Sequence, residues 1–161
     1  MSEVQTVTSR IAARLIERGE TVAVSESAAG GLIAAALLEV RGASRYFIGG
    51  GVVYTAVARQ ALLGIGATEM AGMRSASEPY AQLAARTIRA RLGATWGLAE
   101  TGAAGPTGNR YGDAAGHACL AVSGPTEVVR TIETGSSGRA ANMRAFALAA
   151  LALLDETLQR S

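Results

Sequence analysis

Five short β-prone runs alternate with helix-period segments along this chain, and that alternation constrains most of what it can fold into. Thr21–Ser25, Ser44–Thr55, Ala94–Thr101, His117–Val122 and Glu127–Thr134 read as strands. Residues 3–18 read as an amphipathic helix, with Val4, Val7, Ile11, Leu15 and Ile16 at spacings of three and four and Gly19 ending it. Helices are also predicted at 32–40, briefly at 56–63, at 79–92 with Leu83, Ala84, Thr87 and Ile88 facing inward, and at 139–158. Gly49-Gly50-Gly51 is expected to interrupt the second β run. Strands alternating with helices predict the α/β class, a three-layer α/β/α sandwich. The adjacent strands at 117–134 make its sheet mixed, though mostly parallel. The length of 161 residues fits a single domain over 1–161. With 4% aromatic residues and 20 glycines, its core must be close-packed from small side chains.

Absent residue types exclude whole classes of chemistry. All 15 basic residues are Arg, so a Walker-type phosphate loop, a Schiff-base lysine and a Ser–Lys dyad are excluded. The single Cys119 forbids an internal disulfide, and the single His117 forbids an HExxH zinc site. A net charge of +2 is too weak a field to suggest nucleic acid or an acidic membrane as a partner. No apolar run reaches the ~18 residues of a membrane span, and the polar N-terminus lacks a signal-peptide core. The expectation is a soluble, cytoplasmic protein with a small-molecule partner.

In open α/β sheets ligands sit at the carboxyl ends of strands, which singles out 26–31 and 101–108. In Glu26-Ser27-Ala28-Ala29-Gly30-Gly31 a serine stands between a strand and a helix start. Its hydroxyl can cap the helix, the commoner use, or attack an electrophile whose charge the free amides stabilise. Gly30 and Gly31 let a ligand approach the backbone. Thr101-Gly102-Ala103-Ala104-Gly105-Pro106 suits either an anion nest or a tight turn required by packing. Asn109, Arg110, Tyr111 and Asp113 could clamp a ligand, but solvated loop residues are the more ordinary reading. Tyr54 could contact a ligand or simply pack its ring. His117 is expected to be structural, and Cys119 and Trp96 core residues.

Taken together, these segments resemble the C-terminal domain family of CinA, the competence/damage-inducible protein, a family that includes the nicotinamide-nucleotide amidases. The family's A/S-E-S-C-T-G-G turn is matched by Ser25–Gly31, and its G-S-S-x-x-F stretch by Gly42–Phe47. G-x-V-x-Y is matched by Gly50–Tyr54, L-L-G-V by Leu62–Ile65, V-S-E-x-x-A by Ala76–Ala81, and S/T-G-I-A-G-P by Thr101–Pro106. The resemblance implies a compact α/β/α domain that hydrolyses the carboxamide of nicotinamide mononucleotide to nicotinic acid mononucleotide and ammonia, without metal or cofactor. It implies Ser27 as the nucleophile, Tyr54 beside it, and Thr101, Gly102, Ala103 and Gly105 in the loop lining the same pocket. It also implies a homo-oligomer, with the apolar last helix expected at the interface.

This chain departs from the family on polar positions. The family's catalytic Lys, five residues after the Tyr, is here Arg59, whose guanidinium stays protonated and cannot take a proton from Ser27. Arg59 or Arg139 can instead hold a phosphate. The Cys and Thr of the family turn are Ala28 and Ala29, and the Lys of the K-P-V-G segment is gone from Asp113–Gly116. A second expectation follows: a non-catalytic nucleotide-binding or interaction module on the same fold.

Overall fold

The structure, a computed structural model, describes residues 1–161. Helix α1 (Glu3–Arg18) opens on a reciprocal cap. The Ser2 hydroxyl accepts the Gln5 N–H, the Gln5 side chain accepts the Ser2 N–H, and Gly19 closes the helix in the left-handed region. Strand β1 (Val22–Glu26) is buried along its whole length, as its apolar run requires for a central strand. It leads through the 27–31 turn into the short helix α2 (Leu32–Leu38).

Strand β2 (Phe47–Val52) follows, then α3 (Ala56–Ala58), which widens into a π turn over Arg59–Leu63. Helix α4 (Glu78–Leu92) is capped by Ser77, with Pro79 in its first turn. Strands β3 (Trp96–Ala103), β4 (His117–Ser123) and β5 (Val128–Glu133) precede the long α5 (Arg139–Arg160).

The strands form one sheet in the order β2-β1-β3-β4-β5. β1 pairs parallel with β2 and β3, whereas β4 pairs antiparallel with β3 and β5. Four strands therefore share one direction and β4 alone runs against them, so the sheet is mixed and mostly parallel. Side chains alternate between two cores. Trp96 and Leu98 point to α1, α2 and α5, where they meet Leu120, Phe146 and Leu151. Ala99, Cys119 and Ala121 point to α4 and pack against Ala81, Ala84 and Ala85. This second core is built from small residues because α4 lies directly on the strands: a Cβ on Gly97 would stand 2.1 Å from the Ala85 carbonyl oxygen.

Two local expectations are corrected. Gly49-Gly50-Gly51 does not interrupt a strand but lies inside β2, where a Cβ on Gly50 would stand 2.2 Å from the Val24 carbonyl oxygen. The buried face of α4 is Tyr80, Ala81, Ala84, Ala85 and Ile88, with Leu83 and Thr87 only half-buried. The apolar face of α5, including Phe146, Ala150, Leu151 and Leu154, covers the chain's own sheet and α1. Arg10 and Arg14 secure that packing by pairing with the buried Asp155. No helix is long and apolar enough to cross a membrane.

Candidate functional site

β1 and β3 are adjacent and parallel, so the bends leaving their carboxyl ends meet. Beside them lies a cavity of about 270 Å³ lined by Ser27, Tyr54, Arg59, Thr101 and Gly102, together with Ser75, Ala76, Tyr80, Asn109 and Tyr111. The Ser27 hydroxyl forms no hydrogen bond within the chain and does not cap α2, which has Gly31 at its N-cap position. The capping alternative is therefore set aside: Glu26 does that work from the opposite side of β1. Its Oε1 accepts the N–H groups of Gly31 and Ile33, and its Oε2 accepts that of Ala34. Opposite charge at a helix N-terminus is favourable there.

The amides of the Ser27 turn are not free either. Glu100 of β3 is fully buried, and its Oε1 accepts the N–H groups of Ser27 at 2.9 Å and Ala29 at 2.8 Å. Its Oε2 is buried without a partner. Burial pushes the Glu100 carboxyl up to about 7, against the pull of those amides, and the neighbouring Glu26 charge adds to the rise. Glu26 is raised as well, by burial. An oxyanion hole made from this turn, as the sequence suggests, is thus already occupied by the chain's own carboxylate.

The cavity's charge is cationic. Arg59 donates from Nε to the Ile65 carbonyl at 3.3 Å and stands 5.9 Å over the Tyr80 ring. Its Nη2 makes no hydrogen bond in the chain, which leaves donors for a ligand. Burial raises the Tyr80 phenol and keeps it neutral. No Asp, Glu, His or Lys lines the cavity. Arg139 spans its rim, donating from Nη1 to the Gly105 carbonyl at 2.6 Å and from Nη2 to the exposed Tyr54 hydroxyl at 3.1 Å.

Of the residues singled out from the sequence, Ser27, Tyr54, Arg59, Thr101 and Gly102 come together on the lining, with Arg139 beside them. Four lie elsewhere. The Gly31 N–H serves Glu26, and Gly30 is exposed and faces Met143. The Ala103 carbonyl receives the Gly116 N–H, and the Gly105 carbonyl receives Arg139. Asn109 and Tyr111, read as solvated, line the cavity instead, because the 105–115 loop folds back over it. Asp113 is held bidentately by Arg74 at 2.6 and 3.1 Å. Reasoning from sequence missed Ser75, Ala76, Tyr80 and Glu100. A Glu in an otherwise apolar strand was the one signal that could have exposed Glu100, since a buried carboxylate needs a partner.

Comparison with known proteins bears on the family and the fold. The CinA C-terminal domain family matches residues 4–158. A CinA-like protein of Gloeobacter violaceus is 41% identical over 128 residues, covering 80% of this chain and 30% of that protein. The chain thus spans about a third of the length of the curated relatives it matches. A CinA superfamily protein from Klebsiella pneumoniae 700603 superposes with a TM-score of 0.91 at 27% identity, covering 98% of this chain and 99% of that one. The competence/damage inducible protein CihA of Agrobacterium tumefaciens gives 0.90 at 29% identity, covering 99% and 97%.

Proposed function

Because the chain belongs to the CinA C-terminal domain family, we propose that its cavity takes a pyridine mononucleotide and that Ser27 attacks the ligand's carboxamide. The observation that carries this reading is the unengaged Ser27 hydroxyl on a cavity it shares with Tyr54, Arg59 and Thr101. The space suits an aromatic ring with part of a ribose, and the phosphate then reaches the rim, where Arg139, bound to Gly105 and Tyr54 through one N–H of each Nη, keeps the second N–H of each for it. The Ser27 oxygen bonds to the carboxamide carbon, the C–N bond breaks, and ammonia leaves with the hydroxyl proton. Water then cleaves the ester, giving the acid and restoring Ser27.

Two features set the rate. Arg59 cannot accept the Ser27 proton, and general-base help is typically worth about 10²–10⁴-fold. The turn amides are bound to Glu100, so side-chain donors, the Arg59 guanidinium and the Tyr80 phenol, face the developing oxyanion. The activity expected is a slow amidase. The test is ammonia release from nicotinamide mononucleotide by the purified protein and by Ser27→Ala. Release that Ser27→Ala abolishes supports the assignment, and release that survives it removes Ser27 as nucleophile.

A second reading rests on the lack of any carboxylate, imidazole or lysine on the lining. The pocket would then retain the nucleotide without hydrolysing it. Calorimetry showing a binding isotherm with no ammonia formed would favour this reading.

A further inference from the structure

His117 opens β4 with both ring nitrogens facing acceptors. Nδ1 lies 2.7 Å from Glu133 Oε1 on β5, and Nε2 lies 2.8 Å from the Ala76 carbonyl oxygen. A neutral imidazole carries one N–H and can satisfy only one of them, whereas the imidazolium satisfies both. Ala76 is buried, so water cannot replace the ring's N–H at its carbonyl at low cost, whereas the charge of the exposed Glu133 favours keeping a neutral ring's one proton on Nδ1, away from Ala76.

The groups around the ring favour the cation. Glu133 faces it from β5 and Asp113 Oδ1 stands 3.6 Å from Nε2. Arg74, the nearby cation, is bound to Asp113, and Glu78 of α4 is bound to Thr131. Cys119, on the same face of β4, is kept neutral by burial. Burial works against a charged ring, yet the Ala76 carbonyl, Glu133 and Asp113 outweigh it and hold His117 above the ordinary histidine value.

At the other end of this bond is a strained residue on the cavity wall. Ala76 has φ of 54°, the one non-glycine residue in the left-handed region. Its N–H donates to Thr101 Oγ1 at 3.1 Å and its carbonyl receives His117 at 2.8 Å, with Arg74 Nη1 and Cys119 Sγ as longer donors at 3.4 and 3.6 Å, so the surrounding side chains, His117 nearest at the carbonyl, hold a conformation that alanine does not choose. Ala76, its neighbour Ser75 and Thr101 all line the cavity.

We propose that His117 is a positioning residue: as a fixed imidazolium it holds Ala76 in the left-handed conformation that shapes the cavity wall, and losing the ring proton loosens that wall and weakens ligand retention. The ligand part of this inference rests on the proposed pyridine-nucleotide pocket, whereas the wall part does not.

One histidine in the chain makes the experiment unambiguous. The ring ¹⁵N resonances and the Ala76 amide are followed by NMR from about pH 5.5 to about pH 9, with the Kd for nicotinamide mononucleotide measured over the same range. The same is done for Glu133→Gln, which keeps an oxygen beside Nδ1 and removes the charge. The expected result is a ring protonated on both nitrogens at neutral pH. The Ala76 amide shares the ring's midpoint, and Kd rises about 3–10-fold across it, a part of one charge-assisted hydrogen bond. Glu133→Gln moves all three midpoints down together. The mononucleotide's own phosphate titrates near pH 6 in both proteins, so the displacement between them isolates the ring. A singly protonated ring at neutral pH, an Ala76 amide indifferent to the ring, or a Kd midpoint that stays while the ring's moves would each overturn the proposal. If the mononucleotide binds at no pH, the ligand assignment falls, while an Ala76 amide that moves with the ring still supports the clamp.

Discussion

At Ser27 the hydroxyl and the amide face different tasks: the oxygen opens to the cavity while the N–H is held by Glu100. The division makes Glu100 a sensitive residue, because its orphaned Oε2 leaves half of a buried carboxylate unsatisfied. An acid raised to about 7 in the folded chain binds more protons folded than unfolded as pH climbs from the ordinary 4.5. Stability therefore falls with rising pH across that window, by on the order of 3 kcal/mol. Glu100→Gln retains an oxygen for both amides and cannot ionise. Denaturant unfolding from about pH 5 to about pH 8 is expected to show a markedly flatter dependence for this variant than for the wild type. His117, raised above 6.5, loses its stabilisation in the same direction as pH climbs, but it does so equally in both proteins. An unchanged slope in Glu100→Gln would show that Glu100 does not titrate in this range. Residue types alone give only the hint of a Glu in an apolar strand. Ser27 is conspicuous because a strand–Ser–Gly-Gly turn is conspicuous, whereas a carboxylate's burial depends on which turn lies over it.

Among the elements, β2 shows how close approach replaces side-chain packing. Its glycine run looks like a strand breaker, yet the strand pairs with β1 in register from Ala23↔Gly49 to Glu26↔Val52. Gly50 has no room for a methyl group, since both the Val24 carbonyl and the Val24 side chain stand within 2.6 Å of where a Cβ would go. The nearest atom to a Cβ on Gly51 is the flexible Leu62 tip at 3.4 Å. Gly50→Ala is therefore expected to destabilise the fold by roughly 1–3 kcal/mol, and Gly51→Ala by much less. Thermal melts of the pair check this, and equal losses would contradict the close approach. The helices were more legible: apolar spacing marks α1 and α4 to within a residue, and Gly19 marks the end of α1. The inner face of α4 was less so, because alanine on alanine leaves no amphipathic contrast.

For the molecule as a whole, two periods written along the chain suffice for the sandwich. The meeting of the 27–31 and 101–106 bends follows from β1 and β3 being parallel neighbours. What spacing cannot convey is long-range polar pairing. Glu100 under the Ser27 turn, Asp113 on Arg74 and His117 on Ala76 each join segments at least 39 residues apart. The result is a cavity lined by Arg59 and three tyrosines, with Arg139 at its rim, and bare of bases. The most direct test of that account compares ammonia release from nicotinamide mononucleotide by the wild-type protein and by Arg59→Lys. A slow wild-type rate that rises at least about tenfold in Arg59→Lys is the predicted result, since lysine restores a group able to accept the Ser27 proton. No release from either protein, or a rate that Arg59→Lys leaves unchanged, would contradict it.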